Sequence, residues 1–165
     1  MSLMRTLAML ALVLLSACGR NDGNVGAISN DWTGNAIRVE AINDPKVKGV
    51  TCHFSYFDRS FIDRVANGKW FEDPSNNSIA CRQTGPIVIG DIAMGKSGEE
   101  VFSKHTSLFF KAVAVRRIYD PENNTLIYVS YGREIVRGSA KMSLSTVTLY
   151  GQNVTWTGHP PGAPS

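Results

Sequence analysis

The feature that most constrains this chain is a pair of β-rich runs, Leu108 to Tyr119 and Leu126 to Tyr131, joined by Asp120-Pro121-Glu122-Asn123-Asn124. The joining residues form turns readily, and Pro sits where φ must be near −65°, so the two runs predict a hairpin. Shorter runs repeat the theme. Ile37, Val39 and Ala41 alternate with Arg38 and Glu40, a period of two that marks a half-buried strand over Ala36 to Ile42. Val50, Cys52, Phe54 and Tyr56 alternate with Thr51, His53 and Ser55 in the same way. Ser78 to Gln83 reads as strand up to a break at Gly85-Pro86, and Ile87 to Ile89, Glu100 to Lys104 and Thr146 to Tyr150 read as further short strands.

Helical signals are few. Asp58 to Gly68 carries a capping Asp, the apolar set Phe61, Ile62 and Val65 on one face, and an Asn-Gly stop. Asn43 to Gly49 offers one helical turn with Pro at its first position. Gly138-Ser139 opens another through Met142 and Leu144. Strands with turn signals every eight to twelve residues predict a mainly β fold, an antiparallel sandwich or small barrel with one or two short helices.

The N-terminus reads as an address rather than as fold. One positive charge in Met1 to Arg5 precedes ten mostly apolar residues, Thr6 to Leu15, the length of a signal-peptide core. Leu15-Ser16-Ala17-Cys18 resembles the lipobox of bacterial lipoproteins, in which the Cys thiol takes up diacylglycerol after cleavage. The alternative, ordinary secretory cleavage, is disfavoured by Leu15, which spoils the small-residue pattern such cleavage prefers. The expected organisation is a signal peptide over residues 1–17, a lipidated tether over 18–24, one β-rich domain over 25–151 and a disordered tail over 152–165. That tail holds little apolar content apart from Val154 and Trp156. Gly19 after Cys18, in place of an Asp, favours the outer membrane on the periplasmic side of the envelope.

With Cys18 lipidated, Cys52 and Cys81 remain as an even pair in an oxidising compartment, and a disulfide is their simplest use. The competing use, a reactive or metal-binding thiol pair, lacks the C-x-x-C spacing and an adjacent His cluster.

Charge and motifs narrow the functional classes. Seventeen basic residues against 14 acidic give a formal charge of +3, too mild for a nucleic-acid binder. His53, His105 and His159 fit no metal-ligand spacing, and Ser-hydrolase, P-loop and dinucleotide signatures are missing, so no catalytic residue, metal or cofactor is assigned. Glu99-Glu100 and Asp91 read as solvated acids. On the long strand, parity puts Arg116 with the apolar row Leu108, Phe110, Ala112, Ala114 and Ile118, and Arg117 and Lys111 on the other face with Phe109, Val113 and Val115. A candidate anion site therefore comprises Lys104, His105, Lys111 and Arg117, set against the plainer reading of a solvated face neutralised by Glu99, Glu100, Asp120 and Glu122.

Four ordered blocks carry a resemblance: Asp44 to Cys52, Ile79 to Ile87, Phe102 to Leu108, and Arg116 to Asp120 with Leu126 to Tyr131. Together they resemble the CreA family of bacterial periplasmic proteins, whose biochemical role is unassigned. The resemblance implies a small secreted domain holding Cys52 and Cys81, and it supplies no catalytic residues. The expected function is that of a non-enzymatic, lipid-anchored envelope accessory protein. It would be tied to the membrane by its acyl chains and bind an envelope protein or an anionic glycolipid through a sheet face. An envelope hydrolase with its site near His105 is the alternative expectation.

Overall fold

The computed structural model describes residues 23–60, 63, 65–66, 77–102, 112–133 and 141–162. In chain order its strands are β1 (Asn24–Ser29), β2 (Ala36–Asn43), β3 (Val47–Asp58), β4 (Asn77–Ile89), β5 (Glu99–Val101), β6 (Val113–Asp120), β7 (Thr125–Gly132), β8 (Met142–Thr148) and β9 (Val154–Trp156). They form a five-stranded sheet ordered β1-β2-β3-β4-β9 and a four-stranded sheet ordered β5-β6-β7-β8. Every pairing is antiparallel except β4 with β9. The architecture is a β sandwich without a closed barrel.

The inner faces follow the period-two rule. Val50, Cys52, Phe54 and Tyr56 of β3 are buried, as are Val113, Val115, Tyr119, Leu126 and Tyr128 from the β6–β7 hairpin. Residues 121–124 make the expected turn, in which Asp120 Oδ1 accepts the Glu122 and Asn123 N–H groups. Cys52 and Cys81 face each other in the β3–β4 register and are joined as a disulfide. The other edge of β4 at this point is met by β8. Ser143 Oγ accepts the Ile79 N–H at 2.9 Å and Ser145 Oγ accepts the Cys81 N–H at 2.8 Å. Side-chain hydroxyls thus satisfy backbone donors where no strand ladder crosses from sheet to sheet.

Several local expectations are overturned. Residues 43–49 form no helical turn: residue 43 ends β2, residues 47–49 begin β3, and residues 44–46 connect them, with the Asp44 carboxylate accepting the Lys46 and Val47 N–H groups at 2.8 and 3.1 Å. Asp44 performs the capping chemistry without a helix to cap. Gly85-Pro86 does not break β4, because the ladder is irregular there: the β3 register shifts between Lys48 and Val50. Pro costs nothing where no ladder donor is needed, and Gly49 opposite it, at φ 79°, leaves room that a Cβ would fill 2.2 Å from the Pro86 carbonyl oxygen. Met142 and Leu144 lie in strand β8, not in a helical turn.

The expected loose tail is partly ordered. Val154 and Trp156 are partly buried against the core, the Thr157 N–H donates to Ile89 O at 2.8 Å, and Trp156 meets Tyr119 edge-on at 5.7 Å. The few apolar residues of this segment suffice because β4 offers them both an open ladder and an apolar surface. Strand β1 lies outside the expected strands and begins within the expected tether. Of the Asp58 to Gly68 expectation, Asp58 ends β3 and residues 63, 65 and 66 are helical; residues 61, 62, 64, 67 and 68, like Cys18, lie outside the described residues.

Candidate functional site

Two charged residues in succession on a strand must point to opposite faces, so one of Arg116 and Arg117 has to enter the sandwich. It is Arg117. Its relative exposure is 2%, and residues 113, 115, 117 and 119 form the inner row of β6. The expected grouping of Arg117 with Val113 and Val115 holds, but that face is the inner one and not the expected solvated one. The reason is the partner set supplied by the opposite sheet and by β5. The Arg117 guanidinium donates to both carboxylate oxygens of Asp44 and to Glu99 Oε1. Tyr128 Oη donates to Asp44 Oδ2 at 2.7 Å, and Lys46 Nζ donates to Glu99 Oε2 at 2.6 Å. A buried guanidinium that already donates to two carboxylates is a different object from an anion receptor.

Burial would pull Arg117 down, but Asp44 and then Tyr128 and Glu99 more than offset it and raise its pKa. Burial pushes the Tyr128 hydroxyl up, and Asp44 pushes it further. For Glu99 burial acts upward, yet Lys46, the Ala93 N–H and Arg117 together hold the carboxyl below its ordinary range. Geometry makes this possible at one point. Gly98, at φ 60°, precedes β5, and a Cβ there would lie 2.1 Å from the Arg117 carbonyl oxygen. Only Gly lets β5 approach β6 closely enough for Glu99 to sit opposite Arg117.

The cluster therefore fastens the β2–β3 turn of one sheet to β5, β6 and β7 of the other. Sequence reasoning missed it because Asp44, Glu99 and Tyr128 are 73, 18 and 84 positions distant from their partners. The available signal was the Asp-Pro turn beside a strand with adjacent Arg residues, which is weak. Lys104, His105 and Lys111, the other members of the expected anion site, lie outside the described residues, as does the hydrolase site expected near His105.

Arg116 takes the outer face. Its Nη2 donates to Gly98 O at 3.2 Å, and its Nε has no hydrogen-bond partner among the described residues. The register puts Ile118 opposite Ile127, Val129 opposite Leu144 and Tyr131 opposite Met142, so these side chains share that outer face. Leu144 and Met142 are 62% and 69% exposed, and the others are half-buried. Arg133 closes one border by pairing with Glu100, the cross-strand partner of Arg116. An apolar centre edged by paired charges is the pattern of an interaction surface.

A second feature is an open groove of about 600 Å³ between Tyr119 and the C-terminal segment, lined among others by Ile92, Met94, Pro121 and Pro160. At its rim His159 Nδ1 lies 3.3 Å from Asp91 Oδ1, and both side chains are exposed. Sequence reading left His159 in a loose tail; β9 is what brings it to Asp91.

The family model described as CreA protein matches residues 25–152, from β1 to the residue pair before β9. The chain belongs to the CreA family. Protein CreA of Escherichia coli strain K12 and that of Escherichia coli O157:H7 are each 45% identical to it over 116 residues, spanning 68% of this chain and 72% of the relative. No solved structure matches the chain. The CreA match contains the whole ionic cluster, the disulfide and the outer face of the four-stranded sheet, whereas His159 lies beyond it.

Proposed function

We propose that this CreA-family chain is a lipid-anchored protein on the periplasmic side of the bacterial envelope, at the outer membrane. It is held by acyl chains on Cys18 and binds an envelope protein through the outer face of its four-stranded sheet, with no chemistry of its own. The observation that carries the binding reading is the continuous apolar surface of Ile118, Ile127, Val129, Tyr131, Met142 and Leu144, with its two outermost members 62% and 69% exposed. Exposed apolar area of this kind costs solubility unless a partner covers it. A protein fits better than an anionic glycolipid, because Arg133 is already paired with Glu100 and the same carboxylate lies across the strand from Arg116. The address rests on Leu15 to Cys18 and on the pairing of Cys52 with Cys81, which leaves Cys18 as the third cysteine.

The test places a photo-crosslinking residue at position 144 or 142 in cells. The expected result is a discrete protein adduct that Leu144→Glu or Met142→Glu, made opposite the probe, abolishes. Crosslinking that yields no discrete adduct from either position overturns the binding face. Intact-mass measurement of the membrane-extracted protein reports the acyl chains, and their absence overturns the anchor.

A further inference from the structure

The turn after β1 displays a tryptophan to solvent on a rigid frame. Trp32 is 96% exposed, while the residues around it are tightly bonded. Asp31 Oδ1 accepts the Thr33 N–H at 2.9 Å, the Thr33 hydroxyl at 2.6 Å and the Asn35 N–H at 3.1 Å, and Asp31 Oδ2 accepts Asn35 Nδ2 at 2.7 Å. Asn35, itself buried, accepts the Ser60 N–H at 2.8 Å through Oδ1, which ties the turn to the end of β3. A turn fixed by this many bonds has conformations to spare for burying an indole only at the expense of those bonds. It holds the ring out instead.

Two further exposed apolar residues lie on β1 itself, Val25 at 60% and Ile28 at 62%. β1 is an edge of the five-stranded sheet, and exposed apolar side chains on an edge strand invite aggregation unless something covers them. The chain says what is near. Cys18 is five residues before Gly23, whose carbonyl accepts the Ala41 N–H at 2.8 Å and so belongs to the sheet. Five residues span at most about 18 Å when fully extended. An acyl anchor on Cys18 therefore cannot place the start of β1 farther than that from the bilayer surface, whatever path the intervening residues take.

We infer that the β1 edge and the Trp32 turn rest on the lipid surface, with the Trp32 indole at headgroup level and Val25 and Ile28 facing the same interface. This rests on the lipid-anchor reading above and adds an orientation to it. Indole suits the location because its body is apolar and its N–H keeps a hydrogen bond at the wet boundary. The backbone of β1 stays outside the hydrocarbon, where its unpaired edge groups could not be satisfied. The partner-binding face of the other sheet is then carried at a fixed attitude to the membrane.

The experiment uses the processed protein extracted from the envelope and reconstituted in vesicles of phosphatidylethanolamine and phosphatidylglycerol bearing bromine on the upper acyl chain. Trp32 is compared with Trp32→Phe, a change at a fully exposed ring that leaves the fold intact. The expected result is quenched, blue-shifted tryptophan emission in the parent protein, with at least a twofold smaller quenched fraction in the variant. Equal quenching in both proteins, or none in either, overturns the docking when intact mass shows the acyl chains present. A mass without acyl chains overturns the anchor and the docking with it, so the two failures are told apart by the same sample.

Discussion

Replacing Arg117 with Met tests whether the buried ionic cluster is a fastening or an incidental contact. Met keeps the unbranched apolar stem and removes the guanidinium. Asp44, whose side chain has 0% exposure, would retain the Lys46 and Val47 N–H groups and the Tyr128 hydroxyl but lose the charge that answers its own. Glu99, 21% exposed and already bonded to Lys46, can be resolvated. The dominant cost is thus one uncompensated buried carboxylate, about 3–5 kcal/mol. Against a usual total of about 5–15 kcal/mol this is a large fraction, and for a domain of this size it lowers Tm by roughly 10–20 °C.

The assay is urea and thermal unfolding followed by circular dichroism with the disulfide intact, and Lys46→Met is the control. Lys46 bonds the same Glu99 but is 46% exposed, so its loss costs under about 1 kcal/mol. Adding Asp44→Asn to Arg117→Met should recover part of the loss, since the lone charge is then gone, and the cycle gives the coupling directly. An Arg117→Met protein no less stable than the Lys46→Met control would refute the argument that burial, rather than the number of contacts, sets the worth of this cluster.

Two other outcomes follow from the same geometry. Glu99 has a folded pKa below its ordinary value of 4.5, so the stability it contributes is full above that value and is lost as pH falls through the folded pKa. Tm measured from neutral pH downward should drop below about pH 4.5, and Glu99→Gln should flatten that part of the profile. Removing the Cys52–Cys81 disulfide, which closes a separation of 29 residues, by paired Ala substitution should cost roughly 3–4 kcal/mol in the chain-entropy model. Thermal melts of that variant with and without reductant should coincide, while those of the parent should separate.

Much of the fold is legible before any coordinates. Alternation in Val50 to Tyr56 survives in the structure because β3 is central and one of its faces is sealed, so side-chain period and burial period coincide. The β6–β7 hairpin survives because turn chemistry and β propensity agree over adjacent residues. Parity separates Arg116 from Arg117 correctly, and what fails is the choice of which of those faces looks inward. A row of apolar residues says that a face is apolar, not that it is the inner one, and in the four-stranded sheet both faces are apolar. β2 shows the same ambiguity: Glu40 is buried and accepts the Tyr56 hydroxyl, while Ile37, Val39 and Ala41 are half-buried on the other face.

The chain by itself settles part of what is local, the alternation of β3 and the β6–β7 hairpin with its turn, together with the family to which the ordered blocks belong, whereas β1 and β9 carry too little apolar pattern to be read. Tertiary structure decided which face of each strand looks inward, because that depends on charges brought from distant positions to the same point. Asp44 and Arg117 are 73 positions apart, and neither carries a sequence mark naming the other. Burial of one arginine is tolerable only where the fold delivers two carboxylates to it, and only the packed sandwich makes that delivery.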